Sequence, residues 1–188
     1  MEFAENIVKY FRETMGIWYF MLFNAIGSIG IVLQILVFQM KTRRKIIFVN
    51  IASNISWLCY FWLQADFVSG LANIIGIMSN IIFMMRGKYR WADSKLWLIL
   101  FLVVGGAFAL VTFKTWKDIF AILASILSIT AFFMLKERNI RILSLFTYLM
   151  FVCNSVSKGY AVALIADITA LMSVVIALIR FKKKREFF

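Results

Sequence analysis

The sequence predicts an all-α membrane protein in which seven transmembrane helices form two parallel three-helix repeats with one further helix between them. Three observations lead to this fold class: the hydrophobicity of the chain, the alternation of its basic segments, and an internal repeat. The chain of 188 residues is 63% hydrophobic, with a mean hydropathy of +0.89. Soluble domains average roughly 45–50% apolar residues, so the solvent of this chain is predicted to be lipid.

Seven apolar stretches have about the length that a bilayer requires. A helix needs about 20 residues to cross a hydrocarbon core of ~30 Å, with a usual range of about 17–25. The sixth stretch is slightly short, but Arg141 and Lys158 at its ends can extend to the headgroups. Together the stretches leave no room for a soluble domain. They are 16–40, 46–65, 67–85, 96–113, 119–135, 142–157 and, interrupted only by Asp167, 159–179.

Basic residues cluster in every second loop. Of the 21 lysine and arginine residues, 16 fall in four short segments, which the positive-inside rule places in the cytoplasm. The N-terminus is therefore predicted outside and the C-terminus in the cytoplasm. The net charge of +12 fits anionic lipid headgroups better than nucleic acid, so the expected partner is the bilayer. The four segments are 41–45, 86–95, 136–141 and 180–185.

Two windows of the chain, 27–88 and 121–182, repeat each other at a fixed offset of 94, with 15 identities in 62 positions. Matches between apolar residues count for little in such a composition, whereas the rarer residue types are informative. Each half holds three spans and one span lies between them, so both halves enter the bilayer in the same direction. The informative matches are Met40/Met134, Arg44/Arg138, Cys59/Cys153, Met78/Met172, Ser79/Ser173 and Arg86/Arg180.

The repeat divides the chain into four parts. Residues 1–14 carry an apolar row at helical spacing, which predicts an interfacial amphipathic helix, although an ordinary helical start fits equally well. Residues 15–90 form the first triple-helix bundle and 91–116 the linker transmembrane helix. Residues 117–188 form the second bundle with a basic cytoplasmic tail.

The residue types present argue against an enzyme. The chain contains no histidine, and its two cysteines lie inside apolar spans, so we expect neither a metal nor another cofactor. No glycine-rich phosphate loop, nucleophile–base constellation or level pair of carboxylates occurs in the sequence.

The sequence resembles two groups of membrane proteins. The stretch GGAFALVTFKTWKDIFAILASILSITAFFMLKERNIR and the closing run into LIRF are similar to the YgjV-type family of bacterial inner-membrane proteins, which implies a multi-pass protein of that membrane. The arrangement of two parallel three-helix bundles resembles the SWEET sugar transporters of the PQ-loop superfamily. One departure is that the chain has no proline: Leu33-Gln34 and Leu127-Ser128 stand where that superfamily has Pro-Gln pairs. Without proline these helices should bend less.

Asn73 and Asp167 are equivalent positions in the repeat, in LANIIGIMS and IADITALMS. Each lies eight residues after a predicted turn, and eight residues of helix rise roughly 12 Å, which reaches the middle of a ~30 Å core. Trp57 and Phe151 precede the same turns by eight residues and are predicted to lie level with them. The SWEET resemblance implies that an aromatic residue and an asparagine at this spacing line a substrate pocket.

The predicted substrate-binding residues are therefore Trp57, Asn73, Phe151 and Asp167, around a midplane cavity between the halves. A carboxylate accepts hydrogen bonds or binds a proton, so Asp167 is also the candidate for proton or cation coupling. The leading hypothesis is a transporter of a small polar solute, either monomeric or homo-oligomeric. The alternative is a non-transporting membrane scaffold, sensor or accessory protein. A polar cavity of roughly 300 Å³ or more would favour transport, and an interface filled by aromatic residues would favour the alternative.

Overall fold

The structure, a computed structural model, describes residues 2–64, 67–113, 115–159 and 161–183. Over those residues the chain forms eight α-helices and one short 3-10 helix, which confirms the all-α class. The α-helices are α1 (Glu2–Met15), α2 (Ile17–Gln39), α3 (Arg43–Leu63), α4 (Phe67–Met85), α5 (Leu96–Thr112), α6 (Asp118–Phe133), α7 (Glu137–Lys158) and α8 (Ala161–Lys183), and the 3-10 helix is Arg90–Asp93.

Seven of these helices are apolar, and four are long and apolar enough to cross a membrane: α2, α3, α7 and the segment Ala163–Phe181 of α8. Helices α5 and α6 are apolar but have 17 and 16 residues, and the segment Ser69–Met85 of α4 is apolar over 17 residues. At a rise of about 1.5 Å per residue they reach roughly 24–26 Å. The membrane class is therefore confirmed, whereas the count of seven spans, the parallel arrangement and the side of each terminus stay predictions.

The middle helix of each half holds its neighbours together. In the first half α3 packs along α2 and α4, and in the second half α7 packs along α6 and α8. The halves meet where α2 packs on α8 and where α4 packs on α6, and α5 contacts α4 and α6. The six helices thus contact one another in a closed cycle, with two seams between the halves that the sequence repeat relates to each other.

Glycines of α2 bring it close to α3. A Cβ atom at Gly27 would lie 2.8 Å from the Tyr60 ring, and one at Gly30 would lie 3.3 Å from the Trp57 ring. Small residues of this kind allow helix backbones to approach closely in membranes. The side chain of Trp57 consequently lies directly against the backbone of α2.

The buried core lies mainly at the end of the bundle that carries the basic segments 41–45, 86–95 and 136–141, which we call the basic end. Its side chains come from the last turns of α2, α4 and α6 and the first turns of α3 and α7. Burial near the opposite end is sparser, and an ion pair between Lys158 and Asp118 joins α7 to α6 there. The fully buried residues at the basic end include Val37, Phe38, Ile46, Ile47, Phe83 and Ile140.

Candidate functional site

A side-chain amide on α2 connects the two halves. Oε1 of Gln34 accepts a hydrogen bond of 3.0 Å from Nε1 of Trp57 on α3. The hydroxyl of Tyr148 on α7 lies beside the Gln34 side chain. Because α7 belongs to the second half, Gln34 links the indole of one half to the phenol of the other.

The carboxylate of Asp167 has a hydroxyl donor inside its own half. Oγ of Ser155 on α7 donates to Oδ2 of Asp167 on α8 over 2.6 Å. Hydrogen bonds to ionised groups are short and strong, so this contact offsets part of the cost of a half-buried carboxylate. Asp167 also lies close enough to Tyr148 to act on it electrostatically.

Aromatic rings surround this connection on both sides. The Tyr148 side chain is only 9% exposed, and its ring lies edge-on to Phe38 of α2 at 5.7 Å and tilted to Phe151 at 6.2 Å between ring centroids. Trp57 stacks on Phe61 at 5.8 Å. The space near the α2–α7 contact is therefore filled largely by aromatic side chains, with Gln34 between them.

Asn73 has a different environment. It is half-buried on α4, and its Nδ2 donates to the carbonyl oxygen of Ser69 in the same helix at 2.8 Å. Asp167 instead receives its hydrogen bond from α7. Three of the four residues predicted to bind substrate lie next to Gln34 or Tyr148. Trp57 donates to Gln34, Asp167 lies near Tyr148, and Phe151 packs against the Tyr148 ring. The pairing of Asn73 with Asp167 stays a prediction.

Sequence reasoning did not identify Gln34 and Tyr148 as site residues. In the sequence Gln34 is one of several polar residues in the apolar stretches and stands at the place of a Pro-Gln pair. Tyr148 aligns with Asn54 in the repeat. Polar groups at equivalent positions of two membrane spans are the sequence signal that could have identified Tyr148. Both positions show that polar pairs in the repeat are informative even where the residues differ.

Arginines at the basic end join the halves a second time. Nε of Arg43, at the start of α3, donates to the carbonyl oxygen of Met134 at 2.8 Å, and Nη2 of Arg141, on α7, donates to that of Met40 at 2.7 Å. Met40 and Met134 are equivalent in the repeat and follow the last turns of α2 and α6. Each acceptor thus takes its donor from the other half, and the carbonyls at those helix ends are satisfied. We call Arg43 and Arg141 the arginine clasp.

Both clasp residues make further contacts with carbonyl groups. Arg43 also donates to the carbonyl oxygen of Phe83 at the end of α4, and Arg141 to that of Phe38 at 3.3 Å. Arg43 is 8% exposed and Arg141 4% exposed. Hydrogen bonds to charged groups contribute more than neutral ones, about 1.5–3 kcal/mol. The clasp is therefore a substantial part of what holds the basic end together.

Hydrogen bonds between uncharged groups also join the halves near the basic end, at the seam between α2 and α8. Nε2 of Gln39 donates to the Oγ and the carbonyl oxygen of Ser173 on α8, each at 3.0 Å, and Oγ of Ser173 donates to the carbonyl oxygen of Ile35 at 2.6 Å. Ser79, its equivalent on α4, donates to Gly76 of its own helix. Ser173 thus forms hydrogen bonds across the α2–α8 seam, whereas its repeat equivalent Ser79 donates within its own helix.

Two cavities lie at the ends of the bundle. One of about 180 Å³ is bounded by α1, the start of α2 and the end of α3, and one of about 290 Å³ lies at the basic end. Neither is lined by any of the four predicted substrate-binding residues. Neither cavity therefore meets the criterion of a polar midplane cavity.

Comparison with known proteins gives one match. The model of the family Imp-YgjV, described as a bacterial inner membrane protein, matches residues 21–185. The matched segment begins within α2 and includes α3 to α8, so it contains the Gln34–Tyr148 link, the clasp and Asp167. No curated protein and no solved structure matches the chain.

Proposed function

The chain belongs to the Imp-YgjV family of bacterial inner membrane proteins. We propose that it carries a small polar solute across that membrane. The observation that supports this most is the polar connection from Trp57 through Gln34 to Tyr148, with Asp167 beside it. Interhelical hydrogen bonds in membranes contribute only about 0.6 kcal/mol on average. A carboxylate at a helix centre costs roughly 2.5–3.5 kcal/mol. The cost of placing the Asp167 carboxylate in a helix is therefore larger than the stability that one such hydrogen bond returns. Stability alone does not explain why this apolar chain contains Asp167.

The proposed topology takes all seven apolar helices as spans, with the N-terminus outside and the basic end in the cytoplasm. The two shortest helices, α5 and α6, would be accommodated by local thinning of the bilayer and by flanking residues that extend to its surface. With three spans in each half and α5 between them, the two halves are parallel. Substrate sites in transporters built from repeats lie near the midplane, between the halves.

The distribution of contacts supports a state that is closed towards the cytoplasm. The arginine clasp, the Gln39–Ser173 contact and most of the buried core lie at the basic end. Rocking of one half against the other would separate Arg43 from Met134 and Arg141 from Met40. The same motion would open the cytoplasmic side and carry the solute past the Gln34–Tyr148 link.

Asp167 gives the proposed site its charge preference. When ionised it accepts hydrogen bonds and attracts a cationic group, and when protonated it presents one donor. Asn73, its repeat equivalent, is neutral. The site would thus accept a neutral or cationic polar solute, with a proton or a cation bound at Asp167 in part of the cycle.

A ligand screen followed by uptake measurements tests the proposal. Sugars, nucleosides, amines and vitamins would be tested for thermal stabilisation of the purified protein, and each hit for uptake into proteoliposomes. Asp167→Asn and Trp57→Phe should weaken binding and uptake of a hit. Asn24→Ala is the matched control, because Asn24 is exposed on α2 and its amide bonds the same helix. A screen without hits, or hits that Asp167→Asn and Trp57→Phe leave unchanged, would contradict the proposal.

The aromatic filling between the halves favours a second candidate function, a non-transporting scaffold or accessory protein. Tyr148 packs against Phe38 across the halves, and neither described cavity is at the midplane. In that case substitutions at Gln34 or Asp167 would change the stability of the fold, and no solute in the screen would stabilise the wild type or the variants.

A further inference from the structure

We propose that the cavity at the basic end binds a phosphate group, carried by an anionic phospholipid headgroup or present as the free ion. The cavity has a volume of about 290 Å³ and lies between the end of α4 and the loop that joins α6 to α7. This site is separate from the proposed solute site and does not depend on the transport proposal. Its lining residues are Arg86, Phe133, Met134, Leu135, Lys136 and Asn139.

Arg86 is a fixed donor in this cavity. Its guanidinium carbon lies 3.5 Å from the centre of the Phe133 ring, and Nη1 donates to the carbonyl oxygen of the same residue. Nε is buried and makes no hydrogen bond to the part of the chain that the structure describes. The nearest acid, Asp93, has its Oδ1 3.9 Å from Nε, which is beyond hydrogen-bond distance. Nε is thus paired with Asp93 by charge and not by a hydrogen bond, and Arg86 itself lines the cavity.

The charge around the cavity is predominantly positive. Arg86 acts on Arg43 as a like charge, and Lys136 and Arg138 add two exposed cations. Burial lowers the pKa of the Arg86 guanidinium, while the nearby Asp93 raises it. Glu137, the other acid, already accepts a hydrogen bond from the backbone N–H of Arg43 at 3.2 Å. Glu137 and Asp93 offset part of the repulsion at Arg43, and an anion in the cavity would offset more of it.

The start of α7 adds donors of the kind that phosphate prefers. Lys136 is the N-cap residue of α7 and makes no capping hydrogen bond, so the first backbone N–H groups of this 22-residue helix keep their partial positive charge. Asn139, one turn into the helix, supplies a side-chain amide. A guanidinium, an ammonium and a helix N-terminus together are typical of phosphate recognition.

The rim of the cavity suits a lipid. Leu135 is 52% exposed between the cationic residues and the apolar surface of the helices. In the proposed topology the cavity lies at the cytoplasmic leaflet, where basic pockets between helices bind anionic headgroups. The phosphate would then contact Arg86, Lys136 and Asn139, and the glycerol and acyl groups would contact Leu135.

The test measures the melting temperature of the purified full-length protein during titration with short-chain phosphatidylglycerol, with phosphatidylcholine of the same chain length, and with inorganic phosphate. The variants are Lys136→Gln and Asn139→Ala, both at exposed positions that leave the contacts of Arg86 intact. Lys95→Gln is the matched control, because Lys95 is an exposed base of the 86–95 segment that does not line the cavity.

The expected result is a saturable rise in melting temperature with phosphatidylglycerol for the wild type and for Lys95→Gln. Half-saturation should need roughly fivefold or more ligand in Lys136→Gln and in Asn139→Ala. If inorganic phosphate gives the same saturable rise with the same dependence on the variants, the site takes the free ion; if only the lipid does, the site takes a headgroup. Equal effects of the two lipids without an effect of phosphate, no saturable rise, or equal half-saturation in Lys136→Gln and Lys95→Gln would overturn the proposal.

Discussion

Replacing Gln34 with leucine should loosen the contact between the two halves at similar side-chain volume, because it removes the hydrogen-bond acceptor of Trp57 and the polar group beside the Tyr148 hydroxyl. Tyr148 is only 9% exposed, so its hydroxyl would lose its polar neighbour in an environment with little water. Leaving a buried polar group unsatisfied costs about 1–3 kcal/mol. The lost bond to the half-buried indole adds about 0.6 kcal/mol. The free energy of unfolding should therefore fall by roughly 1.6–3.6 kcal/mol.

The assay is unfolding of the purified protein in mixed micelles by increasing fractions of a denaturing detergent, followed by helical circular dichroism. Asn24→Leu is the matched control on the same helix, since Nδ2 of Asn24 donates within α2 to Phe20; it should change stability by less than about 0.5 kcal/mol. A double-mutant cycle with Tyr148→Phe should give a coupling energy of at least about 0.5 kcal/mol. Equal effects of Gln34→Leu and Asn24→Leu, together with zero coupling, would refute the role of Gln34 as the link between the halves.

Three further substitutions address other parts of the structure. Arg141→Gln should lower the free energy of unfolding by about 2–4 kcal/mol because it leaves buried carbonyls without donors, whereas Arg138→Gln, exposed on the same helix, should change it little in the same detergent titration. Gly27→Ala should cost about 1–3 kcal/mol because the new Cβ would lie 2.8 Å from an aromatic ring of α3; Gly106→Ala, with no atom within 4 Å, should be nearly neutral. Asp167→Asn should abolish any change in solute affinity between about pH 5 and about pH 8 that the wild type shows, measured by thermal shift; a pH dependence that persists in the variant would argue against proton coupling at this residue.

The fold class could be predicted from composition because lipid permits few solutions. A chain that is 63% hydrophobic must satisfy its backbone hydrogen bonds internally, and helices do so within one segment. The apolar stretches accordingly coincide with α2 to α8 to within a few residues. Helices α2, α5 and α6 are one or two residues shorter than their apolar stretches, because residues at the ends of an apolar stretch form part of the following turn. Asp167 and Trp57 could be selected for the same reason, because polar and aromatic groups are conspicuous in such segments.

The repeat predicted equivalent positions but could not predict equivalent contacts. Arg43 aligns with Glu137, and Arg141 aligns with Ile47, so no alignment of the halves pairs the two clasp residues. The structure nevertheless directs both to equivalent acceptors, the carbonyls of Met40 and Met134. The acceptors are backbone groups, which every residue has and which no sequence pattern marks.

The sequence by itself determined that this chain is helical, that it resides in a membrane, and that a carboxylate lies within one of its apolar segments. Only the tertiary structure decided which polar groups meet: Gln34 with Tyr148, Ser155 with Asp167, and the clasp arginines with the helix ends of the opposite half. The physical reason is that hydrophobicity and helical period are local properties of the chain. The contacts between the halves join residues about a hundred positions apart, and their geometry depends on how the helices pack.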